Sequence, residues 1–412
     1  MLTPTNLLRI DRDVTFEPGI YFLPDGLHIT ASDLTVDGNG ATLVGTGQEG
    51  RGISIIGQHG VTIRNVTLLN YRHGIYAAEA CQLAIEHCAV HQTAELAANS
   101  AFLNIWRPVE QAYGGGILLH RVEDALLTGN DLQHQMNGLL AYHSRYLKLE
   151  NNIANHCSGF GFYFHDTHAS LVVDNCADFC CRYQPRAQEQ GHMGADSAGF
   201  LLVAGSSNNV FQRNQARMCG DGFFLAGLSP DGKRRGCNDN LFEGNDGSYS
   251  PNNAFEATFS RGNTFWNNRA NHSAYGFWLG FSSDNVIETN QIVSNRQAGL
   301  AVENGAGFIV RNNTIHSNGH GILMWSRHVP AFAAAAPANV TCADWLIERN
   351  DLELNGKAIR VAANQDHGVE PLHVAAAPHP RDHVIRKNTF RSNAVNVEVL
   401  DADNVVFEGN VV

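Results

Sequence analysis

The chain has 412 residues, of which 43% are hydrophobic and only 17% charged, and its formal net charge is −12. This negative charge disfavours nucleic acid and anionic membrane surfaces as partners. The first residues contain no basic segment followed by a long apolar one, so the sequence predicts neither a signal peptide nor a membrane span, and we expect a cytoplasmic protein.

The chain opens with strand-like segments separated by turn residues. Residues 14–50 include Thr-Phe-Glu-Pro-Gly-Ile-Tyr-Phe-Leu-Pro and later Leu-Thr-Val-Asp-Gly-Asn-Gly-Ala-Thr-Leu. This stretch resembles the opening of pectate-lyase-like β-helix proteins and of the broader group of carbohydrate-binding and sugar-hydrolase repeats. The resemblance covers nearly the whole chain and implies an architecture, in which residues 1–60 form the N-terminal coils.

An asparagine then recurs at one position of a repeated pattern. Each of these asparagines lies three residues after an apolar one, and spacings of 22 or 23 residues alternate with longer spacings that mark insertions. This period predicts a single all-β domain over residues 1–412, a right-handed parallel β-helix of about 12 or more coils. The recurring residues are Asn130, Asn152, Asn175, Asn214, Asn245, Asn268, Asn290, Asn313, Asn350, Asn388 and Asn410.

Stacking explains why asparagine is used at this position. Strands of successive coils lie about 4.8 Å apart, so an inward amide can hydrogen-bond to its copies above and below. Asparagine also tolerates the left-handed backbone that a sharp corner needs. A second polar column follows five residues later, and it includes several of the nine cysteines, for which we favour inert buried thiols over a metal or redox site.

A second strand of each coil begins with glycine. Alternation along this strand sends one set of side chains inward and the neighbouring ones outward. The predicted inward residues are Ile75, Phe162, Phe200, Phe223, Phe255, Phe277, Leu300 and Ile322.

Five insertions border this strand in the predicted fold. Those at about 93–112 and 181–196 precede it, and those at about 228–237, 328–343 and 363–381 follow it. They predict an open floor between raised edges, which is a common setting for a binding site. The last two contain runs of alanine and proline that suit linkers, lids or contacts between protomers, so a homo-oligomer remains an alternative.

Four carboxylates lie on or beside the predicted floor: Asp196, Asp221, Glu256 and Glu303. Adjacent coils would place Asp221 and Glu256 about 5 Å apart along the axis, and the two carboxylates of sugar hydrolases work at about 5 to 9.5 Å. A carboxyl group among apolar and aromatic neighbours tends to keep its proton, so we expect Glu256 to be the acid. Asp221 or Asp196 would be the base or nucleophile, with the final assignment of acid and base left open.

The other residues of the predicted face suit substrate binding. Tryptophan rings stack on the apolar faces of sugars, and hydroxyl, imidazole and guanidinium groups bind sugar oxygens. The predicted binding residues are Trp278, Trp325, Tyr163, His165, Arg360 and His192.

These features predict a glycoside hydrolase or transglycosidase that acts on an oligo- or polysaccharide and needs no cofactor. The alternative is a polysaccharide lyase or uronate epimerase, in which Tyr163 and His165, or an arginine or lysine base, transfer protons. For a lyase, the resemblance to lyases of this fold implies calcium as a cofactor. Alginate epimerases of this fold carry Asp-Pro-His in a similar strand, whereas this chain has Tyr163-Phe-His165. A third hypothesis is a non-catalytic sugar-binding or assembly protein.

Overall fold

The computed structural model describes residues 1–97, 100–184, 192–193, 197–366, 370–371 and 378–412. Contacts divide the chain into two compact units, residues 1–201 with 206–220, and residues 202–205 with 221–412. In each unit the strands pair in parallel with strands one coil away, as predicted, apart from one short antiparallel pair in each, and the fold class is a right-handed parallel β-helix. Among the described residues, no helix has both the length and the apolarity needed to cross a bilayer.

The first unit has a short 3-10 helix, Val109–Gln111, just before the strand Gly115–His120. The last two residues of the strand Ala198–Val203 belong to the second unit. The strands are β1 Arg9–Ile10, β2 Val14–Thr15, β3 Ile20–Phe22, β4 Leu27–Ile29, β5 Leu34–Asp37, β6 Thr42–Ile56, β7 Val61–Arg64, β8 Thr67–Ala78, β9 Cys81–Glu86, β10 Ala89–His91, β11 Gly115–His120, β12 Glu123–Thr128, β13 Asn137–Tyr142, β14 Arg145–Glu150, β15 Phe160–His165, β16 Leu171–Val173, β17 Tyr183–Gln184, β18 His192–Met193, β19 Ala198–Val203 and β20 Val210–Gln212.

The second unit has a one-turn helix, α1 Pro330–Ala335, between the strands His320–Ser326 and Leu346–Glu348. Its strands are β21 Asp221–Ala226, β22 Leu241–Glu243, β23 Asn253–Thr258, β24 Thr264–Trp266, β25 Tyr275–Trp278, β26 Val286–Glu288, β27 Gln291–Val293, β28 Ala298–Glu303, β29 Ile309–Arg311, β30 Thr314–His316, β31 His320–Ser326, β32 Leu346–Glu348, β33 Asp351–Glu353, β34 Lys357–Ala363, β35 Gln365–Asp366, β36 Glu370–Pro371, β37 Arg381–Arg386, β38 Thr389–Arg391, β39 Val395–Leu400 and β40 Asp403–Glu408.

The predicted asparagine ladder is present in both units. In the first unit the Asn130 Nδ2 donates to Asn152 Oδ1 at 2.8 Å, and Asn152 Nδ2 donates to Asn175 Oδ1 at 2.9 Å. In the second unit the same bond joins Asn290 to Asn313 at 3.0 Å and continues to Asn350 at 2.9 Å. Each of these amides is buried, so the bonds satisfy groups that would otherwise be costly to remove from water.

The left-handed corner lies one residue earlier than predicted. The residue before each ladder asparagine has a positive φ, for example 55° at Asn151, 58° at Thr289 and 54° at Arg349, whereas the ladder asparagines do not. The expectation that the ladder asparagine itself supplies this conformation is therefore wrong. Its side chain is used for bonding between coils, and its exposed predecessor makes the turn.

The inward column of the glycine-led strands is confirmed. All eight predicted residues are fully buried. Phenylalanine rings of this column stack between coils, with centroid distances of 4.8 Å for Phe223 and Phe255 and 5.0 Å for Phe255 and Phe277. Glycine leads the strand because the next coil approaches closely there. A Cβ added at Gly276 would lie 2.5 Å from the carbonyl oxygen of Gly299.

Helix α1, which lies in the insertion after β31, packs against earlier coils of the second unit. The Phe332 ring meets Phe259 and Phe281 edge to face, with centroids 5.4 and 4.8 Å apart. Asn339 follows the helix and donates its Nδ2 to the Ser282 carbonyl oxygen at 2.9 Å. Of the three roles predicted for the run beginning at Pro330, linker, lid or contact between protomers, the described contacts show packing within the same chain.

Candidate functional site

One sheet of the second unit carries most of the predicted site residues. Its strands pair in register, so that equivalent outward residues form columns across β21, β23, β25, β28, β31, β34 and β39. Glu303 and Trp325 are neighbours in one column. The column beside it contains Phe224, Glu256, Trp278, Ala301, Leu323, Arg360 and Glu398.

Asp221 and Glu256 are joined through Asn253, which lies at the start of β23. The Asn253 backbone N–H donates to Asp221 Oδ1 at 2.9 Å, and its side-chain Nδ2 donates to Glu256 Oε2 at 2.6 Å. Asp221 is 3% exposed, whereas Glu256 is partly exposed. The structure therefore brings together two of the four predicted carboxylates, with an asparagine between them.

Burial makes both groups weak acids. Loss of water raises the pKa of Asp221 to about 7, and the hydrogen bonds from Asn253 only partly oppose this shift. Burial also raises the pKa of Glu256 well above its usual range, and the nearby Asp221 charge raises it further. The pair therefore holds at least one proton at neutral pH, as a general acid requires.

Asn253 was not among the residues predicted from the sequence. It lies two residues before the inward Phe255, at the position that Asp221 occupies relative to Phe223 on the preceding strand. The repeat alone predicts that Asn253 and Asp221 occupy equivalent positions. It does not predict that Asn253 contacts two carboxyl groups, because the glycine-led strands hold unrelated residue types at this position.

The two tryptophans of the face are packed together rather than open. Trp278 and Trp325 meet at a centroid distance of 5.5 Å, and Tyr275 packs edge to face on Trp278 at 4.9 Å. Trp325 is fully buried in a cluster with Ala298, Ala301 and Leu323, whereas Trp278 remains partly exposed. The prediction that both rings form an exposed stacking surface is wrong for Trp325 and still stands for Trp278.

Glu303 is buried and engaged in an ion pair. It is 4% exposed, and its Oε1 accepts from Arg327 Nε at 2.7 Å. A carboxylate held by a guanidinium is stabilised in its charged form, so Glu303 differs from Glu256 in chemistry as well as position. This contact favours a structural role for Glu303 over the catalytic role predicted from the sequence.

Arg360 also has an acidic partner. Its Nη1 lies 3.1 Å from Glu398 Oε2, which Lys357 Nζ approaches to 2.6 Å. Arg360 is 7% exposed, so it can contact a substrate, as predicted, only if the ion pair with Glu398 separates.

Tyr163 and His165 lie in the first unit. The Tyr163 hydroxyl donates to the Ile105 carbonyl oxygen at 2.9 Å, and this residue is 2% exposed. The His165 ring, which is partly exposed, lies 5.2 Å from the Tyr142 ring and 5.3 Å from the His143 ring, between centroids. Because its hydroxyl is bonded to Ile105 and the residue is buried, Tyr163 is poorly placed to bind a substrate or to transfer its proton, contrary to expectation.

The side chains of two predicted site residues lie outside the part of the chain that the structure describes. Asp196 falls outside the described residues. His192 lies in β18, but its side chain is likewise outside the description. Both remain predictions.

One group of potential metal ligands lies elsewhere in the second unit. His316, Asp351 and Glu353 offer ligand atoms within 4.8 Å of one another. The guanidinium of Arg391 contacts both carboxylates, at 2.6 and 2.9 Å. Arg391 therefore compensates one of the two negative charges.

The chain matches the family described as right handed beta helix region in three overlapping stretches, residues 19–176, 98–248 and 232–331. No curated protein sequence matches it significantly. Similar solved structures include the catalytic domain of a GH87 alpha-1,3-glucanase, with a TM-score of 0.52 and 11% identity over 99% of this chain and 69% of that one.

Two further similar structures have lower scores. The A-module of the mannuronan C-5 epimerase AlgE6 from Azotobacter vinelandii has a TM-score of 0.48 and 13% identity, over 97% of this chain and 90% of that one. Tailspike protein 3 of bacteriophage CBA120 has a TM-score of 0.43 and 11% identity, over 96% and 56%. The family matches together extend from residue 19 to residue 331, more than half of the sequence, and the chain therefore belongs to the right-handed β-helix family.

Proposed function

We propose that this protein is a sugar-acting enzyme that cleaves or transfers glycosidic bonds, with Glu256 as the proton donor. The observation that carries the proposal is the pair of carboxyl groups held by Asn253, of which Asp221 has a pKa of about 7. The α-1,3-glucanase similarity supports a scaffold that hosts glycoside chemistry.

Glu256 is the better donor of the two carboxyls because it is partly exposed, whereas Asp221 is buried. Protonated Glu256 can give its proton to the glycosidic oxygen as the bond to the anomeric carbon breaks. A water molecule or the hydroxyl of an acceptor sugar then forms the new bond to that carbon and returns a proton to Glu256. Asp221 supports this step electrostatically, since its charge favours the protonated form of Glu256. The partly exposed Trp278, on the next strand in the same column, offers a ring for the sugar beside the carboxyl.

The test is product analysis on a panel of polysaccharides, with new reducing ends and absorbance of unsaturated uronates measured in parallel. We expect reducing ends without the absorbance. Glu256→Gln keeps the size of the side chain and removes the proton, so the rate should fall by about 10²- to 10⁴-fold.

The matched control is Glu303→Gln, which changes a carboxylate of the same sheet that is already bound to Arg327. Its rate should stay within a few-fold of the unchanged protein, provided that both variants unfold cooperatively. Full activity in Glu256→Gln would refute the assignment. An unsaturated product would replace hydrolysis with the elimination alternative.

A further inference from the structure

The first unit contains a cavity of about 390 Å³ that none of the predicted site residues lines. Its floor is built from β6, β8 and β11, whose strands pair so that Arg51, His73 and Gly115 are neighbours in one column. Val109, Glu110 and Ala112 of the segment before β11 form a wall. The size suits one or two sugar units or a ligand of similar volume.

Two arginines reach this cavity without an acidic partner among the described residues. The Arg51 guanidinium lies over the Tyr76 ring, 3.4 Å from its centroid. Arg72 Nη2 donates to the Ala112 carbonyl oxygen at 2.7 Å, which holds the guanidinium against the wall. Several other arginines of this unit, including Arg121 and Arg145, pair with carboxylates instead.

The remaining charges define what the cavity can accept. Glu110 lines it as well, so two guanidinium groups and one carboxylate leave a formal charge of +1. Burial and the nearby arginines keep the pKa of His73 at about 4, and burial with the neighbouring Arg121 lowers the pKa of His120. Both imidazoles are neutral at neutral pH and add hydrogen-bonding atoms without adding charge.

We infer that this cavity binds a singly charged sugar acid, whose carboxylate meets Arg51 and Arg72 and whose hydroxyls meet Glu110 and His120. A guanidinium presents a planar fork that matches a carboxylate, and a net charge of +1 matches a monoanion better than a dianionic phosphate. Glu110 can only accept hydrogen bonds, which suits hydroxyl donors of a sugar ring. This site lies in the first unit and does not depend on the chemistry of Asp221 and Glu256.

The test is isothermal titration calorimetry of the full chain with galacturonate, with galactose as the neutral sugar and with inorganic phosphate. We expect binding of galacturonate that weakens as salt is added, and at least tenfold weaker binding by Arg72→Ala, whose side chain is exposed and not needed for the core. Arg72→Lys should recover only part of the loss, because lysine keeps the charge and lacks the fork.

The matched control is Arg145→Ala, which removes the same charge from an exposed pair with Glu123 on another sheet and should bind normally. Absence of galacturonate binding, or binding that Arg72→Ala leaves unchanged, would overturn the inference. Equal binding of galactose would do the same, because it would show that the carboxylate is not recognised. Phosphate that binds more tightly than galacturonate, with the same dependence on Arg72, would assign the cavity to phosphate instead.

Discussion

At the scale of single residues, Asn253 is central because it contacts two carboxyl groups at once. Its backbone and side chain supply separate donors, so Asp221 and Glu256 are each hydrogen-bonded while remaining near each other. Neither carboxyl has an ion pair with arginine or lysine among the described residues, in contrast to Glu303. Burial without a counter-charge is what raises both pKa values.

This burial makes stability depend on pH. Between about pH 4 and pH 7 the folded chain retains a proton on Asp221 that the unfolded chain releases, because the folded pKa is about 7 and the ordinary value is 3.8. The native state binds more protons in this window, so its stability falls as the pH rises. In Asp221→Asn the side chain is neutral at every pH, like the protonated acid, so the variant should lose less stability as the pH rises.

The measurement is denaturant unfolding at pH 4.5 and pH 7.5 for the unchanged chain and for Asp221→Asn. We expect the variant to be the more stable of the two at pH 7.5 and to show the smaller change between the two pH values. A change between the two pH values that is as large in Asp221→Asn as in the unchanged chain would contradict a raised pKa of Asp221 in the folded state.

At the scale of elements, each coil is fixed to the next by its ladder asparagine. Asn313 donates from its backbone and its Nδ2 to Asn350, donates again to the Ile287 carbonyl oxygen, and accepts from Asn290. Removing such a side chain leaves several buried polar groups without partners. Asn312, one residue earlier, is exposed and makes the left-handed turn with a φ of 56°.

These two adjacent asparagines give a controlled comparison. Asn313→Ala should lower the free energy of unfolding by about 2 kcal/mol or more, because the buried groups of its neighbours lose their bonds. Asn312→Gly should change it by about 0.5 kcal/mol or less, since glycine adopts a positive φ readily. Equal effects in thermal or denaturant unfolding would contradict a special role for the ladder.

The repeat predicted the elements well and the site only in part. The period identified the asparagine ladder and the buried Phe223 column, because both follow from stacking equivalent residues. It could not show that Trp325 would be covered, or that Glu303 would meet Arg327, since those contacts depend on side chains that share no period. Arg51, Arg72 and Glu110 were missed for the same reason, as an insertion brings Glu110 to the cavity.

At the scale of the whole molecule, each of the two units carries its own candidate site. The second unit carries the uncompensated acids Asp221 and Glu256, and the first unit carries the uncompensated bases Arg51 and Arg72. Other described charges, such as those of Arg121 with Glu79 and Arg213 with Asp174, lie in exposed ion pairs, of which the median stabilises by only about 0 to 1 kcal/mol. We place function in Asp221, Glu256, Arg51 and Arg72, because these groups lie together in two separate sites.

The central claim is that the acids beside Asn253 hold a proton at neutral pH, and it can be tested without knowing the substrate. The measurement is a carbon-13 NMR titration of the side-chain carboxyls in the full chain, repeated for Asp221→Asn and Glu256→Gln. We predict a carboxyl that titrates at about pH 7 and disappears in Asp221→Asn, and a second one, above the usual glutamate range, that disappears in Glu256→Gln. If every carboxyl titrates in the ordinary range of about pH 3 to 5, the proposed proton donor does not exist.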